Sequence, residues 1–421
     1  MMDVYFIIFL GLSAVGAAKN YDGYLVFKIK PEAEGQVEKL CELLKDMRLD
    51  VWKEGGIGQE THVMVNPELL EKFLHKMQKN DLQADIMISD VGALERAERK
   101  AMEQGSESAS FDYSTYHSLA EIEAWMTDFA ANAPSGIDVT KIKIGESFQG
   151  RDLSLLKVER NPSATKPNII MIFGSHGREW ISPATALNFL NYLVSEASAL
   201  NTYCWHIVPV SNPDSYYRTT DAAGEEKDRL WRKTVSSHSI TVNNGTKTLT
   251  CSEGVDFDRN FERMWVGYDE KAGPDCSSQT FSGLEPWSET EVQAIRDYVI
   301  STNVAAFVDI HSYGEMVLLP YAYTTTRVPH FDELMELGTI SASAIESIDG
   351  NTYAVGQIPD LLAKAHGLAI DWTCKDEHIL FSFAYALRDK GEFGFLLPRD
   401  QIQIAGEEFI AGVMAMVNGL P

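Results

Sequence analysis

Four short apolar runs, separated by longer amphipathic stretches, constrain the fold of the chain beyond about Ser106. The runs are LSLLKV, NIIMIF, WHIVPV and AAFVDI, and stretches such as SPATALNFLNYLVSEA and ETEVQAIRDYVI lie between them. Runs without alternation are typical of strands buried on both faces, whereas the stretches between them have a helical period. We therefore predict an α/β fold with a mixed, mostly parallel twisted sheet and helices on both faces.

A different order of elements precedes this domain, from Gly23 to Ser89. A strand, GYLVFKIK, is followed by a helix, by strands near LDVW and THVMV, by a second helix and by a last strand, DIMIS. The apolar faces of the two predicted helices carry Val37, Leu40, Cys41, Leu44 and Met47, and Leu70, Phe73, Leu74 and Met77. This order is that of a small α+β open sandwich of the ferredoxin-like type.

These patterns divide the chain into a small domain over residues 19–92 and an α/β domain over residues 109–421. The segment ALERAERKAMEQG lies between them and predicts a connecting helix within residues 93–108. Its basic side chains offer a cutting site for a trypsin-like protease, but a plain solvated linker helix has the same pattern. The residues alone leave both interpretations open.

The first residues have the pattern of a secretory signal peptide. A short apolar block from Val4 to Gly16 is followed by the small residues Ala17 and Ala18, which predicts a signal over residues 1–18. The block is too short to span a bilayer, and no later run reaches the length of a membrane helix. We expect a secreted, extracellular and soluble protein that does not act on a membrane.

The charge of the chain argues against one class of partner. Lys and Arg number 36 against 61 Asp and Glu, which gives a net charge of −25, and no basic cluster is large enough to bind a phosphate backbone. Nucleic acid is therefore excluded as a partner.

Of the five cysteines, Cys251 and Cys276 flank a polar loop and are predicted to form a disulfide. Cys41, Cys204 and Cys374 lie in apolar contexts and are predicted to be buried thiols.

Three residues have the spacing of a metal site. His176 and Glu179 follow the apolar run NIIMIF and are three residues apart, which places both side chains on one side of a helical turn. His311 closes the run AAFVDI, 132 residues after Glu179. A short pair of ligands with one distant ligand leaves a fourth position for water, as in catalytic zinc sites. We predict one zinc ion here, with Asp256 accepting a hydrogen bond from the far nitrogen of a ligand histidine.

Five ordered motifs resemble those of the zinc metallocarboxypeptidases of the digestive A/B type, and the resemblance covers the whole chain. The motifs are HGRE, RLWRKT, GVDFDRNF, DIHSYG and ALRDKGEFGFLLP. The resemblance implies that the small N-terminal domain is a propeptide, which blocks the active-site cleft until a trypsin-like protease removes it. It also implies that the partners are peptide or protein C-termini and proteinaceous carboxypeptidase inhibitors.

Taken position by position, the resemblance implies roles for the residues around the zinc ligands. Arg232 would polarise the scissile carbonyl and stabilise its oxyanion. Arg259 would hold the C-terminal carboxylate of the substrate in a forked pair. Ile370 falls at the base of the side-chain pocket, where an apolar residue implies the A type, which favours aliphatic and aromatic ends. Arg178 and Tyr313 are further implied substrate-binding residues.

Three positions depart from the pattern of the family. Ala386 stands where the family has its general base, a Glu, and Ala363 stands where a mobile Tyr closes over substrate. Asp258 stands where an Asn helps to bind the terminal carboxylate, and an Asp there would repel that group. Loss of a general acid or base typically costs about 10²- to 10⁴-fold in rate.

Two functions fit these residues. In the first, the chain binds zinc and captures peptide ends, an inhibitor or a regulatory partner, but hydrolyses peptides weakly or not at all. In the second, it is an active metallocarboxypeptidase that releases C-terminal amino acids in proteolysis, with zinc hydroxide or an unusual base in place of the Glu. The three departures favour the first.

Overall fold

The computed structural model describes residues 17–105, 111–162, 166–242, 247–267 and 274–421. The predicted signal peptide lies outside these ranges except for its last two residues, and so do residues 106–108 of the predicted activation segment. Across the described ranges, no helix combines the length and apolar character that a membrane span requires.

The N-terminal domain is an antiparallel sheet of four strands, in the order β2-β3-β1-β4, packed against two helices. Its predicted strand and helix order is confirmed. The elements are β1 (Leu25–Ile29), α1 (Glu34–Met47), β2 (Asp50–Lys53), β3 (Thr61–Val65), α2 (Leu70–Lys79) and β4 (Ala84–Ile88).

One side chain of α1 departs from its predicted burial. The buried residues of this helix are Leu40, Leu43, Leu44 and Met47, whereas Cys41 is exposed. The 3.6-residue period places these four side chains on one face and turns Cys41 roughly 100° away from Leu40. The prediction of a buried thiol was therefore wrong for Cys41, while Cys204 and Cys374 are buried as predicted.

The connecting helix α3 (Val91–Gly105) begins two residues before the predicted segment and packs on the larger domain. Both carboxylate oxygens of Glu98 accept hydrogen bonds from the guanidinium of Arg229, and both side chains are buried. Arg96 and Arg99 instead lie on the exposed face of the helix. The helix is therefore docked rather than freely solvated, and its outer face presents basic residues to solvent.

The larger domain contains an eight-stranded sheet in the order β13-β12-β14-β11-β7-β8-β6-β5 and a separate hairpin of β9 and β10. Its strands are β5 (Asp138–Glu146), β6 (Asp152–Glu159), β7 (Asn168–Phe173), β8 (Cys204–Val208), β9 (His238–Val242), β10 (Lys247–Cys251), β11 (Val304–Ser312), β12 (Met316–Leu319), β13 (Ala354–Gln357) and β14 (Phe381–Leu387). Its helices are α4 (Leu119–Ala131), α5 (Ile181–Ser195), α6 (Pro213–Thr220), α7 (Thr290–Ser301), α8 (Phe331–Asp349), α9 (Ile358–Leu361), α10 (Ala369–Lys375) and α11 (Ile402–Asn418).

Helices cover both faces of this sheet, as predicted. Alternate residues of β7 point into different cores: Met171 packs with side chains of α5, α8 and α11, whereas Ile172 packs with side chains of α7 and α10. The four central strands, β14, β11, β7 and β8, are parallel, and β5, β6 and β12 add antiparallel pairings. The sheet is therefore mixed, with a parallel centre buried on both faces.

The parallel strands at the centre of the sheet bring the predicted metal-binding residues to one end of it. His176 follows the end of β7, and His311 is the penultimate residue of β11. On the neighbouring parallel strand β14, Ala386 is the register partner of His311. The carboxyl ends of parallel strands form the crevice in which open α/β sheets place their sites.

Candidate metal centre and substrate cleft

Two histidines and one carboxylate converge beyond β7 and β11. Nδ1 of His176 lies 2.8 Å from Oε1 of Glu179, and Nδ1 of His311 lies 3.2 Å from Oε2 of the same carboxylate. One ligand atom from each of the three residues lies within 4.8 Å of the others. Two imidazole nitrogens and one carboxylate oxygen are a donor set typical of a catalytic zinc site.

The turn that carries the first two ligands depends on a glycine. A Cβ on Gly177 would lie 2.5 Å from the main-chain oxygen of Ser215, so the chain approaches α6 more closely than any larger residue permits. The amide of Gly177 also donates a hydrogen bond to Oγ of Ser215, at 3.0 Å. This contact fixes the turn between His176 and Glu179.

Asp256 orients His176 from the far side of the ring. Nε2 of His176 lies 2.8 Å from Oδ1 of Asp256, which can accept a hydrogen bond from Nε2 and so leave Nδ1, on the side of Glu179, to bind a metal. The other oxygen of Asp256 accepts from Nη2 of Arg232, at 2.9 Å. Burial alone would raise the pKa of Asp256, but the charges of Arg232, Arg259 and His176 outweigh burial and hold that pKa well below its usual range.

His311 is also flanked by carboxylates. Its Nε2 lies 3.0 Å from Oδ2 of Asp309 and 3.7 Å from Oδ2 of Asp258. Burial would lower the pKa of His311, but Asp309 and Glu179 outweigh it and raise that pKa well above its usual value. A divalent cation replaces the proton that these carboxylates favour, so the charge around the three ligands fits a metal ion.

Beside these ligands, the position of Ala386 offers no proton-transfer group. Ala386 is 5% exposed and lies between His311 on β11 and Met316 on β12 in the sheet register. Among the described residues that line the cleft, the carboxylates are those of Glu54, Glu179 and Asp258. Glu54 belongs to the N-terminal domain, and Glu179 is one of the three converging ligands.

The cleft beside the ligands is largely apolar and has a volume of about 170 Å³. Ile370, in the first turn of α10, is buried in its wall, together with Met316, Leu318, Ile358, Leu368 and Ala384. Because these side chains carry no charge, the walls suit an apolar rather than a basic or acidic side chain.

Asp258 and Arg259 lie side by side at the same cleft. Oδ1 of Asp258 accepts from the amide of Ala369, at 2.9 Å, and Oδ2 lies 4.0 Å from Nη1 of Arg259. Nη1 of Arg259 donates to the main-chain oxygen of Asp258, at 2.7 Å. Burial, followed by the charge of Asp309, raises the pKa of Asp258 to about 6.

The N-terminal domain covers this cleft through β2 and the segment after it. Nη1 of Arg178 donates to both carboxylate oxygens of Asp50, at 2.9 and 3.0 Å. The amide of Ala363 donates to the main-chain oxygen of Glu54, at 3.1 Å. In this form, two of the predicted site positions, Arg178 and Ala363, contact the N-terminal domain itself.

Tyr313 faces the N-terminal domain in the same way. Its hydroxyl lies 2.8 Å from Nδ1 of His62, and the two rings are stacked. Nε2 of His62 lies 3.2 Å from Oε2 of Glu60, and burial lowers the pKa of His62 to about 4. The sequence patterns did not identify Asp50 or His62, because neither belongs to a motif, and their partners lie more than a hundred residues away in the chain.

The predicted disulfide is present near the cleft. Cys251, the last residue of β10, is joined to Cys276, with Cα atoms 5.3 Å apart. The bridge packs with Val255 and Phe281, and the amide of Asp256 donates to the oxygen of Phe281, at 2.8 Å. It therefore supports the segment that positions Asp256.

Comparison with known proteins identifies the families that the two domains match. The family model described as zinc carboxypeptidase matches residues 122–412, and the model described as carboxypeptidase activation peptide matches residues 27–98. The chain is 33% identical to carboxypeptidase A2 of Rattus norvegicus over 421 residues, which cover 97% of this chain and 96% of the relative. It is also 33% identical to carboxypeptidase A1 of Mus musculus over 422 residues, with the same coverage of 97% and 96%.

Solved structures agree with this match. The crystal structure of carboxypeptidase A from Helicoverpa armigera superposes with a TM-score of 0.83 and 28% identity, covering 95% of this chain and 98% of that one. That of thrombin activatable fibrinolysis inhibitor gives a TM-score of 0.79 at 28% identity, covering 94% and 98%. The matching family is that of zinc carboxypeptidases, and the group of His176, Glu179 and His311 is the one that could hold its zinc ion. This chain therefore belongs to the zinc carboxypeptidase family and carries an activation peptide ahead of its zinc carboxypeptidase domain.

Proposed function

We propose that this chain is a secreted, proenzyme-like zinc carboxypeptidase that binds the apolar C-terminal end of a peptide but hydrolyses the peptide bond weakly or not at all. The observation that carries the proposal is Ala386 as the register partner of His311. The proposal includes a signal peptide over residues 1–18, a propeptide over 19–92, an activation segment over 93–108 and the enzyme-like domain over 109–421.

His176, Glu179 and His311 would hold one zinc ion, which when bound supplies Lewis-acid chemistry to a carbonyl and lowers the pKa of a bound water to about 7. Arg232 lies next to this group, with Nη1 3.7 Å from Oε1 of Glu179, and would donate to the oxygen of a scissile carbonyl. These residues retain what is needed to bind and polarise a peptide end.

Among its described residues, the cleft has no side chain placed to transfer a proton at the zinc site. The methyl group of Ala386 neither accepts a proton from water nor donates one to the leaving amine. Asp258 does not take this role, because it lies near Nε2 of His311, whereas Nδ1 of the same ring faces Glu179 and the zinc position. We therefore expect a loss of about 10²- to 10⁴-fold in rate, the usual contribution of a positioned acid or base.

The walls of the cleft support an apolar preference. Ile370 and its neighbours would receive an aliphatic or aromatic side chain, and Arg259 would bind the end of the peptide. Arg178 and Tyr313 would become available to a ligand once the propeptide leaves, since Asp50 and His62 contact them in this form. Ala363 stands where the family has a Tyr that closes over substrate, so no hydroxyl from this position would reach the ligand.

The activation helix supports a protease partner. Arg96 and Arg99 are exposed on α3, where a trypsin-like protease would cut and release the propeptide. A proteinaceous carboxypeptidase inhibitor is a further proposed partner. The structure of bovine thrombin-activatable fibrinolysis inhibitor in complex with tick carboxypeptidase inhibitor supports it, at 32% identity to this chain.

The alternative is an active metallocarboxypeptidase that releases C-terminal amino acids. It is favoured by the three zinc ligands and by Arg232 and Arg259, which are all present. The test is to treat the full chain with trypsin, confirm one zinc per chain, and incubate it with peptides ending in Phe, Leu, Lys or Asp.

We expect Phe- and Leu-ended peptides to compete for one binding site while little free amino acid appears. Rapid release of Phe or Leu would replace the proposal with the alternative. Zinc content far below one per chain would instead show that His176, Glu179 and His311 do not hold the metal tightly.

A further inference from the structure

Asp258 and Arg259 form a mixed-charge pair at the end of the apolar cleft, and this pair carries a specificity that the proposed function leaves open. Both line the cleft together with Ile370. The amide that holds Asp258 belongs to Ala369, the residue immediately before Ile370. A peptide end whose side chain packs against Ile370 would therefore have its terminal group beside Asp258 and Arg259.

One oxygen of Asp258 retains capacity to accept a hydrogen bond. Oδ1 is occupied by the amide of Ala369, at 2.9 Å. Oδ2 lies 4.0 Å from Nη1 of Arg259 and 3.7 Å from Nε2 of His311, both beyond hydrogen-bond distance. A carboxylate accepts at both oxygens, so Oδ2 can take a donor from a ligand.

Arg259 supplies the complementary donors. Its Nη1 donates to the main-chain oxygen of Asp258, at 2.7 Å, and a guanidinium has five N–H groups in all. In the described part of the chain, Asp258 is the carboxylate that lies within 4.0 Å of this guanidinium. Arg232, by contrast, already pairs with Asp256 at 2.9 Å. The end of the cleft therefore presents a donor fork next to an acceptor.

A free C-terminal carboxylate matches only half of this arrangement. Its oxygens would accept from Arg259 but would face Oδ2 of Asp258, and two carboxylates at close range repel each other. A primary carboxamide matches both halves, because its oxygen accepts from Arg259 while its NH₂ group donates to Asp258. We infer that the cleft binds peptides with a C-terminal carboxamide in preference to those with a free carboxylate.

This inference rests on the proposed function only in using the same cleft for a peptide end. Its test is a binding measurement on the full chain treated with trypsin, loaded with zinc, with both fragments kept in solution. The probes are benzoyl-glycyl-phenylalanine and its C-terminal amide, titrated by calorimetry. We expect the amide to bind about tenfold more tightly, the effect of satisfying one otherwise unpaired polar group.

Two isosteric variants distinguish the effect of the Asp258–Arg259 pair from a general effect of removing one negative charge. Asp258→Asn keeps an oxygen for the amide of Ala369 but adds an NH₂ donor, so it is expected to reverse the preference toward the free acid. Asp376→Asn makes the same change of charge in the loop after α10, where the carboxylate lies 3.4 Å from Arg263, and is expected to leave the preference unchanged. Zinc content and the melting temperature of each variant establish that it is folded.

Equal or tighter binding of the free acid by the unaltered chain would overturn the inference. So would an unchanged preference in a folded, zinc-containing Asp258→Asn variant. Rapid hydrolysis of the free acid would count against the proposed loss of catalysis, but the affinity for the amide would still be measured by competition, so the two failures are distinguishable.

Discussion

Ala386 brings a methyl group to the place in the sheet that directly adjoins His311. In the proposed function, metal binding depends on His176, Glu179 and His311, whereas proton transfer would depend on the side chain at position 386. Because the metal ligands lie beyond β7 and on β11, whereas Ala386 lies on β14, one substitution could remove proton transfer and leave the metal ligands in place.

The hydrogen bond to Asp256 is predicted to tune zinc affinity. Asp256→Asn would weaken the interaction with Nε2 of His176 and lose part of the charge that supports a cation, at 2.8 Å in the present structure. Removal of such partners typically costs about 10- to 100-fold in metal affinity. Competition with a chelator measures this, with Asp376→Asn as the charge-matched control. Unchanged zinc affinity in Asp256→Asn would show that His176 needs no such partner.

The apolar wall of the cleft is predicted to set which peptide ends bind. Ile370→Asp would place a carboxylate in the wall and favour Lys- or Arg-ended peptides over Phe-ended ones, because a buried carboxylate needs a cationic partner. Competition between benzoyl-glycyl-phenylalanine and benzoyl-glycyl-arginine measures the change. A variant that keeps its preference for Phe would mean that Ile370 does not contact the ligand.

Among the elements, strands and helices with strong local patterns were predictable and long-range pairs were not. The apolar runs at β7 and β11 predicted buried strands and placed His176 and His311 at their ends. Cys41 was misplaced because an amphipathic pattern locates a helical face only to within about one residue of its margin. The pairs of Asp50 with Arg178 and of Glu98 with Arg229 join distant segments, so no local pattern contains them.

The ion pair of α3 is predicted to control access of protease to the activation segment. Glu98→Ala would leave Arg229 buried without its carboxylate partner, and breaking a buried pair costs about 3 kcal/mol or more. The helix should detach more readily, so trypsin should cut it faster. The control is Glu103→Ala, which removes an exposed carboxylate of the same helix. Equal cleavage rates in the two variants would contradict the role of the pair.

For the whole molecule, the contact between the two domains is predicted to weaken in acid. His62 is buried against Tyr313 with a pKa of about 4, and Glu60, Lys53 and Lys28 are the charged groups that act on it. Because this pKa is lower than that of an exposed histidine, about 6.5, the separated domain takes up the proton first. The contribution of His62 is therefore complete above pH 6.5 and is lost as the pH falls toward 4.

At pH 5, which lies between these two pKa values, protonation of His62 in the separated domain opposes the contact. After cleavage by trypsin, more of the N-terminal fragment should separate from the larger fragment at pH 5 than at pH 7.5, as measured by size-exclusion chromatography. His62→Gln cannot be protonated and should remove most of the difference. If the two proteins respond to pH alike, other groups at the contact are responsible.

The molecule as a whole combines an activation peptide and a zinc carboxypeptidase domain with a His/Glu/His group, and we propose that its proton-transfer position is Ala386, which has no ionisable group. The measurement that tests this most directly compares kcat/KM for benzoyl-glycyl-phenylalanine between the unaltered chain and Ala386→Glu. Both are treated with trypsin and normalised to bound zinc. We predict that the variant is faster by about 10²- to 10⁴-fold. Turnover by the unaltered chain within about tenfold of the variant, or a zinc-containing variant that remains equally inactive, would contradict the account.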